Sequence, residues 1–192
     1  MQEVAPRASL LTIPNILTLL RICLIPVIVL VFYLEREWSA LVSAGIFALA
    51  GLTDWVDGYL ARKMDQSTKL GAFLDPVADK LMVAVALVLL VEVHSSVLMA
   101  IPAMVIISRE ITISALREWM AEIGKRGSVA VSFIGKVKTT VQMIAITVLL
   151  ANDPGLDNWL VWLAYFLLYL ATALTLWSML VYLRAAWPDL KE

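Results

Sequence analysis

The sequence has 192 residues, of which 61% are hydrophobic and only 16% are charged, and its mean hydropathy is +0.87. A soluble domain carries about 45–50% apolar and about 25% charged residues, so this composition excludes an ordinary soluble fold and a disordered chain. The formal net charge of −1 excludes a nucleic-acid-binding module, which needs a surplus of basic residues. The composition predicts an integral membrane protein, most simply a single domain over residues 1–192.

Six apolar segments are long enough, or nearly long enough, to cross a bilayer, which takes roughly 20 residues of helix. Only a helix satisfies its own backbone hydrogen bonds within lipid, so the sequence predicts an all-α protein with six transmembrane helices. In chain order the segments cover residues 14–33, 39–60, 76–92, 97–116, 137–152 and 159–183.

The N-terminal region before the first segment carries no clear targeting signal. Because no small-residue cleavage site follows the first apolar run, that run is predicted to be a retained span and not a signal peptide. Residues 5–12 are compatible with a short interfacial helix or with a disordered terminus.

Lysine and arginine near the segment ends are distributed very unevenly between the two sides of the membrane. Only Arg36 falls on one side. Because basic residues favour the cytoplasmic side, both termini and the two longer polar loops are predicted to be cytoplasmic. The basic residues on that side are Arg7, Arg62, Lys63, Lys69, Arg117, Lys125, Arg126, Lys136, Lys138, Arg184 and Lys191.

Isolated polar residues inside or beside the other segments give weaker signals. Cys23 is the single cysteine, so neither an intrachain disulfide nor a CxxC metal site can form. His94, the single histidine, leaves no histidine cluster for zinc and is expected to be inert in an outer loop. Asn15 and Arg21 in the first segment either face a nucleotide site or connect helices.

Four aspartates lie where the second and third segments meet. Asp54 and Asp57 are three residues apart and Asp75 and Asp79 are four apart, so each pair shares one face of a helix. Pro76 suits the first turn of a helix, which would make Asp75 its N-cap. A short antiparallel connection would bring all four carboxylates together on the cytoplasmic side.

Four clustered carboxylates repel one another strongly at low dielectric. Two divalent cations would remove that repulsion, and oxygen ligands without sulfur or imidazole indicate Mg²⁺ or Mn²⁺. The alternative is that the aspartates cap helices and pair with Arg62, Lys63 and Lys80 at the surface. The metal site is favoured because charges at membrane depth are costly and usually functional.

Two glycines and an arginine accompany the aspartates in the sequence. Gly58 and Gly71 would let a ligand approach the backbone closely, although either could instead serve helix–helix packing. Arg62 lies one turn beyond Asp57 and could hold a phosphate group.

These residues form a motif with fixed spacings. It resembles the complete signature of the CDP-alcohol phosphotransferase family, with no departure at any position. The resemblance implies six transmembrane helices, a homodimer, and transfer of a phosphatidyl or similar group from a CDP-linked donor to an alcohol, with release of CMP. The motif runs Asp54-x2-Asp57-Gly58-x2-Ala61-Arg62-x8-Gly71-x3-Asp75-x3-Asp79.

The resemblance also implies roles for the residues of the motif. Asp79 takes the proton from the attacking hydroxyl and lies beside the two divalent ions. The other metal ligands are Asp54, Asp57 and Asp75. The CMP portion of the donor lies against Gly58, Ala61, Arg62 and Gly71.

Further stretches resemble one bacterial branch of the family, whose donor is CDP-diacylglycerol and whose acceptor is sn-glycerol 3-phosphate. The branch implies an inner-membrane protein with its active site on the cytoplasmic side.

Inositol phosphate, serine and phosphatidylglycerol are alternative acceptors within the family. A divalent-cation transporter is the alternative outside it, but the polar residues gather at the cytoplasmic ends of the segments rather than through the midplane. The stretches begin at Ile13, Gly71, Ser108 and Gly135.

The phosphate of such an acceptor needs cationic partners. Arg109 lies within an otherwise apolar segment, and Lys136 and Lys138 open the fifth segment. A phosphate-binding role is favoured because intramembrane charges usually face cavities or partners. Arg117 is a fourth candidate, although an arginine at a segment end can extend to the interface. The alternatives are an ion pair of Arg109 with Glu110 and, for the lysines, a purely topological role.

Overall fold

The computed structural model describes residues 12–34, 36–64, 68–124, 133–154 and 159–188. All regular secondary structure in these ranges is α-helical, which confirms the predicted class there. The interfacial helix considered for residues 5–12 lies outside the described residues, except for Thr12, which caps the first helix. The helices are α1 (Ile13–Phe32), α2 (Ser39–Met64), α3 (Lys69–His94), α4 (Val97–Glu122), α5 (Phe133–Leu150) and α6 (Trp159–Ala186).

Each helix overlaps one of the six predicted segments over most of its length, and the largest difference concerns α3. This helix begins at Lys69 and not at residue 76. The expectation that Asp75 is its N-cap is therefore wrong, because Asp75 and Pro76 both lie inside α3. Thr68 takes that role, since its hydroxyl oxygen accepts a hydrogen bond from the Gly71 backbone amide at 3.0 Å.

Length and apolar composition identify several helices as membrane spans. Three are long and apolar enough to cross a bilayer, namely α1 over Asn15–Phe32, α4 and α6. α2 and α5 contain shorter apolar stretches, Ser39–Thr53 and Val137–Leu150. Large apolar side chains are also exposed over the described surface, as expected for a surface that faces lipid. The chain is an integral membrane protein. Examples of these exposed side chains are Leu30, Leu41, Val97 and Trp159.

The chain divides into two compact units, residues 1–85 and 86–192, with the boundary inside α3. In the first unit α1 packs against α2. The core of this unit is apolar and combines residues of α1, α2 and the first half of α3, so the polar residues that it also buries need specific partners. Its apolar members include Ile28, Ala44, Phe47, Ala78 and Met82.

In the second unit α6 packs against both α4 and α5. The buried face of α6 is apolar at its start and polar at Thr172, Thr175 and Ser178. Farther along, Tyr182 and Ala186 join a hydrophobic cluster with residues of α4. A band of buried polar groups thus lies between apolar layers of this unit. The α4 members of the cluster are Ile113, Leu116 and Met120.

Candidate active site

One face of α1 carries three polar residues at a spacing of three, Asn15, Thr18 and Arg21. Their side chains belong to a helix that is otherwise almost wholly apolar, yet they are only 1%, 0% and 2% exposed. Burying a hydroxyl, an amide or a guanidinium is costly unless the group has a hydrogen-bond partner. This face of α1 must therefore meet polar atoms of another helix.

The start of α3 supplies those polar atoms. Thr18 donates a hydrogen bond from its hydroxyl to Asp75 Oδ1, and the Arg21 guanidinium forms an ion pair with Asp79 through Nη1 and Oδ1. Asp75 and Asp79 lie one turn apart on one face of α3. α1 therefore holds both carboxylates in fixed orientations, and Arg21 links the two helices, which is one of the two roles that the sequence leaves open for it.

Among the described glycines, Gly71 of α3 has the closest neighbour, which is the Asn15 side chain of α1. Asn15 Oδ1 accepts a hydrogen bond from the Thr68 hydroxyl at 2.8 Å. A Cβ atom placed on Gly71 would lie 2.5 Å from Asn15 Oδ1 and 3.2 Å from Thr68 Oγ1, closer than a methyl group can approach without displacing them. Gly71 thus serves close helix packing, one of the two roles that the sequence leaves open for it.

The other two aspartates of the motif lie on α2. Asp54 and Asp57 keep their spacing of three within this helix, so they share one face of it. Their side chains, and those of Gly58, Ala61 and Arg62, lie outside the described part of the structure. The meeting of all four carboxylates remains a prediction.

The described carboxylates suit a divalent ion in their chemistry. Asp75 and Asp79 offer hard oxygen ligands of the kind that Mg²⁺ and Mn²⁺ prefer, and their described partners include neither a thiol nor an imidazole. Among the described side chains there is no group of three histidine, cysteine, aspartate or glutamate residues that could hold a metal ion. A complete metal site would therefore need the α2 aspartates as well.

A second polar cluster lies in the second unit, around Arg109 and Glu110 of α4. Glu110 Oε1 accepts hydrogen bonds from Arg109 Nη1 at 3.0 Å and from Lys138 Nζ on α5 at 3.1 Å. Arg109 Nη2 donates to Ser178 Oγ on α6 at 2.8 Å. The cluster thus joins all three helices. The expected pairing of Arg109 with Glu110 is present, and Lys138 shares it.

Arg117 and Tyr182 form a separate contact along the same two helices, α4 and α6. Arg117 Nη2 donates to the Tyr182 hydroxyl at 3.2 Å, and its guanidinium carbon lies 5.3 Å from the centroid of the Tyr182 ring. The guanidinium carbon of Arg109 lies 5.9 Å from the same centroid. Both distances suit cation–π attraction. Lys136 lies on α5, but its side chain is outside the described set.

The second unit buries more positive than negative charge among its described polar residues. Arg109 and Lys138 both contact the Glu110 carboxylate, whereas Arg117 contacts the neutral Tyr182 hydroxyl. The Nε atoms of both arginines are buried without a hydrogen-bond partner. A cavity of about 300 Å³ opens beside Arg109. The rest of its lining is formed by Met104, Val105, Ser108, Thr112, Leu176 and Met179.

His94 is the last residue of α3, so the expectation that it lies in a loop is wrong. Its Nδ1 atom lies 2.8 Å from the Tyr165 hydroxyl of α6, and the two rings meet edge to face with centroids 5.5 Å apart. Burial lowers the pKa of the His94 imidazole below its ordinary value of 6.5, because the protonated form loses hydration. The residue supports helix packing far along α3 from the aspartates.

Sequence reasoning missed several residues of these clusters. Thr18 could have been identified from the sequence, because it lies three residues from both Asn15 and Arg21 and therefore shares their face of the helix. From the sequence, Glu110 is expected only to pair with Arg109. Gln142, one turn beyond Lys138 on α5, is buried, but a single glutamine in an apolar helix gives no sign of its environment.

Comparison with known proteins gives consistent matches. The sequence profile of the family described as CDP-alcohol phosphatidyltransferase matches residues 11–182. A CDP-diacylglycerol–glycerol-3-phosphate 3-phosphatidyltransferase from Pseudomonas fluorescens is 56% identical over 183 residues, which cover 94% of this chain and 93% of that protein. Proteins of the same name from Salmonella typhimurium (strain LT2) and Shigella flexneri are 57% identical over 180 residues, covering 94% of this chain and 97% of each.

Proposed function

The chain belongs to the CDP-alcohol phosphatidyltransferase family, and we infer that it transfers the phosphatidyl group from CDP-diacylglycerol to sn-glycerol 3-phosphate. The products are phosphatidylglycerophosphate and CMP, so the enzyme acts in phospholipid biosynthesis. The observation that carries this inference is identity of 56–57% over 94% of the chain to relatives named for that reaction. Membership of the family decides against a divalent-cation transporter.

We propose that the enzyme lies in the bacterial inner membrane as a homodimer, with six spans and both termini in the cytoplasm. The six helices, the three clear spans among them and the bacterial relatives support this topology. The basic residues at the segment ends support a cytoplasmic position for the two aspartate pairs. Water-soluble glycerol phosphate reaches the enzyme from that compartment.

The motif aspartates are proposed to hold two divalent ions, Mg²⁺ or Mn²⁺. When bound, such ions supply positive charge that stabilises the phosphoryl oxygens during an in-line displacement. The residues that would hold them are Asp54, Asp57, Asp75 and Asp79. The fixed orientation of the two α3 carboxylates, held by Thr18 and Arg21, supports the assignment.

The nucleotide of the donor is assigned to residues at the end of α2 and the start of α3. Arg62 pairs with a phosphate of the CDP group, because a guanidinium donates two parallel hydrogen bonds to phosphate oxygens. The small residues Gly58 and Ala61 leave room for the nucleotide. Gly71 would meet the nucleotide through its backbone, because Asn15 occupies the space that a side chain would fill.

Asp79 is proposed as the general base of the transfer. The acceptor's hydroxyl oxygen forms a bond to the lipid-linked phosphorus, the bond from that phosphorus to the CMP oxygen breaks, and the hydroxyl proton passes to the Asp79 carboxylate. Arg21 positions this carboxylate through their ion pair. A carboxylate held in one orientation loses less entropy on reaching the reactive geometry.

The phosphate of the acceptor is assigned to the cations of the second unit. Arg109 and Lys138 are 8% and 4% exposed, yet only Glu110 among the described carboxylates contacts them. A phosphate dianion would neutralise the remaining positive charge. Arg117 and Lys136 complete the proposed set, and Arg117 brings a guanidinium already oriented by Tyr182.

The test is CMP release by the purified enzyme with CDP-diacylglycerol and a panel of acceptors. The panel contains sn-glycerol 3-phosphate, inositol phosphate, serine and phosphatidylglycerol. We expect turnover when glycerol phosphate is the acceptor and none with the other three acceptors. An Asp79→Asn control should show no turnover with any acceptor. Faster release with another member of the panel would reassign the acceptor, and release that no acceptor stimulates would contradict the proposed transfer.

A further inference from the structure

Two polar side chains are buried in the second unit with oxygen atoms that lack a partner. Gln142 of α5 is 3% exposed and Thr175 of α6 is 0% exposed. The Gln142 amide oxygen and the Thr175 hydroxyl oxygen are both shielded from solvent, and neither forms a hydrogen bond. A buried polar group without a partner costs free energy, and such groups in a native fold call for a specific explanation.

Helix geometry places both residues one turn from members of the Arg109–Glu110–Lys138 cluster and its partner Ser178. Gln142 follows Lys138 by one turn on α5, and Thr175 precedes Ser178 by one turn on α6. α5 and α6 pack together and are joined by a short connection, residues 151–158, so they run antiparallel. In an antiparallel pair, the direction from Lys138 to Gln142 along α5 is the same as the direction from Ser178 back to Thr175 along α6. Both residues therefore lie about 5 Å beyond Lys138 and Ser178 along the helix axes.

The chemistry of the two groups selects a neutral ligand group. An amide oxygen accepts hydrogen bonds and cannot bond to a phosphate oxygen, which is also an acceptor, whereas a hydroxyl both donates and accepts. An alcohol can therefore donate to Gln142 and accept from Thr175. In glycerol phosphate the secondary hydroxyl is only a few covalent bonds from phosphorus, so it suits a subsite about one helical turn from the phosphate-binding cations.

We propose that Gln142 and Thr175 bind the secondary hydroxyl of the acceptor and thereby select glycerol phosphate over phosphates that lack this group. The proposal rests on the proposed function, because it needs the phosphate of the same acceptor at Arg109 and Lys138. The hydroxyl donates to the Gln142 amide oxygen and accepts from the Thr175 hydroxyl. Both residues are specificity determinants and take no part in bond making.

The experiment compares two acceptors in the purified enzyme, sn-glycerol 3-phosphate and 3-hydroxypropyl phosphate. The second keeps the primary hydroxyl and the phosphate but lacks the secondary hydroxyl. Wild type should prefer glycerol phosphate in kcat/KM by about tenfold, the value expected for one or two neutral hydrogen bonds. Gln142→Met and Thr175→Val keep side-chain size. Each should lower kcat/KM for glycerol phosphate severalfold and leave 3-hydroxypropyl phosphate unchanged.

Thr172→Val provides the matched control on α6. Thr172 is also buried, but its hydroxyl already donates to the Leu168 carbonyl at 2.8 Å. Its replacement should change both acceptors equally or not at all. If Thr175→Val and Gln142→Met do the same, whether through lost stability or a lost buried water, the subsite is disproved. A wild type that uses neither acceptor would instead disprove the proposed function, and the subsite with it.

Discussion

The two polar regions of this membrane protein are built on opposite principles. In the first unit, helix α1 brings a hydroxyl to Asp75 and a guanidinium to Asp79, so each of these two aspartates has a specific donor. In the second unit two cationic side chains, those of Arg109 and Lys138, share one carboxylate, that of Glu110, and Arg117 contacts the neutral Tyr182 hydroxyl. The first region fixes acids in place, whereas the second retains surplus positive charge, which we propose an anionic ligand neutralises.

The contrast follows from the cost of burying charge. A buried ion needs an opposite charge and further hydrogen bonds to offset its lost hydration. Arg21, which is 2% exposed, is offset by Asp79 within the protein. Arg109 and Lys138 share a single oxygen of Glu110. A substrate phosphate would supply the negative charge that the second region lacks. In the first region, the protein itself supplies the partners of the two aspartates.

Metal removal should have the largest effect and should act through the first region alone. Rigorous chelation with EDTA is expected to reduce CMP release to background, because the clustered aspartates would be left to repel one another. Added Mg²⁺ or Mn²⁺ should restore the rate. Binding of glycerol phosphate, followed separately by its thermal stabilisation of the protein, should survive chelation. Full turnover in chelated enzyme would contradict the metal site.

Replacement of Arg21 should have the next largest effect. Arg21→Gln removes the group that positions Asp79, so kcat should fall about a hundredfold, equivalent to about 2.7 kcal/mol. Arg21→Lys keeps the charge and should retain part of the rate, whereas the KM for glycerol phosphate should stay unchanged in both variants. Initial rates over a range of acceptor concentrations provide the measurement. A normal kcat in a folded Arg21→Gln protein would contradict the proposal that Arg21 positions Asp79 for the reaction.

Glu110→Gln should affect stability and reveal the surplus charge. Without the carboxylate, Arg109 and Lys138 are left unpaired, so the ligand-free protein should lose about 2–3 kcal/mol of stability. Glycerol phosphate should then raise the melting temperature in detergent more for Glu110→Gln than for wild type, because the phosphate replaces the missing anion. An equal rise in both proteins would show that the phosphate binds elsewhere.

The smallest effect is expected at His94, which lies outside both regions. The pKa of this imidazole is lowered by burial, so the unfolded chain binds the proton more readily than the folded chain. Stability should therefore fall as the pH decreases from about 6.5 through the folded-state pKa. His94→Gln should lessen the drop in melting temperature between neutral and mildly acidic pH by a few degrees. An identical acid sensitivity in the variant would contradict the role of His94.

The helices could be predicted from the sequence because lipid leaves the backbone no alternative. The start of α3 could not be predicted from hydropathy, since its first turns contain Lys69 and Asp75 and extend beyond the apolar segment. The cap at Thr68 could have been predicted from the sequence, because threonine is a common N-cap residue at the start of a helix.

The partners of the site residues were harder to predict than the residues themselves. Arg21 stood out as a charge in an apolar helix, but its choice of Asp79 depends on the register between α1 and α3. Glu110 next to Arg109 suggested an ion pair, whereas the contribution of Lys138 depends on how the helices of the second unit pack. Hydropathy carries no information about such registers.

The most direct test of the division between the two regions is separate binding of each substrate to two variants. Thermal stabilisation in detergent would be titrated with glycerol phosphate alone and with CDP-diacylglycerol plus Mg²⁺, for wild type, Lys138→Ala and Asp75→Asn. We expect Lys138→Ala to weaken glycerol phosphate about tenfold to a hundredfold, the loss of one charge-assisted hydrogen bond, and to leave the donor unchanged. Asp75→Asn should weaken only the donor. Unchanged acceptor affinity in Lys138→Ala, or equal loss of both substrates in each variant, would contradict the division.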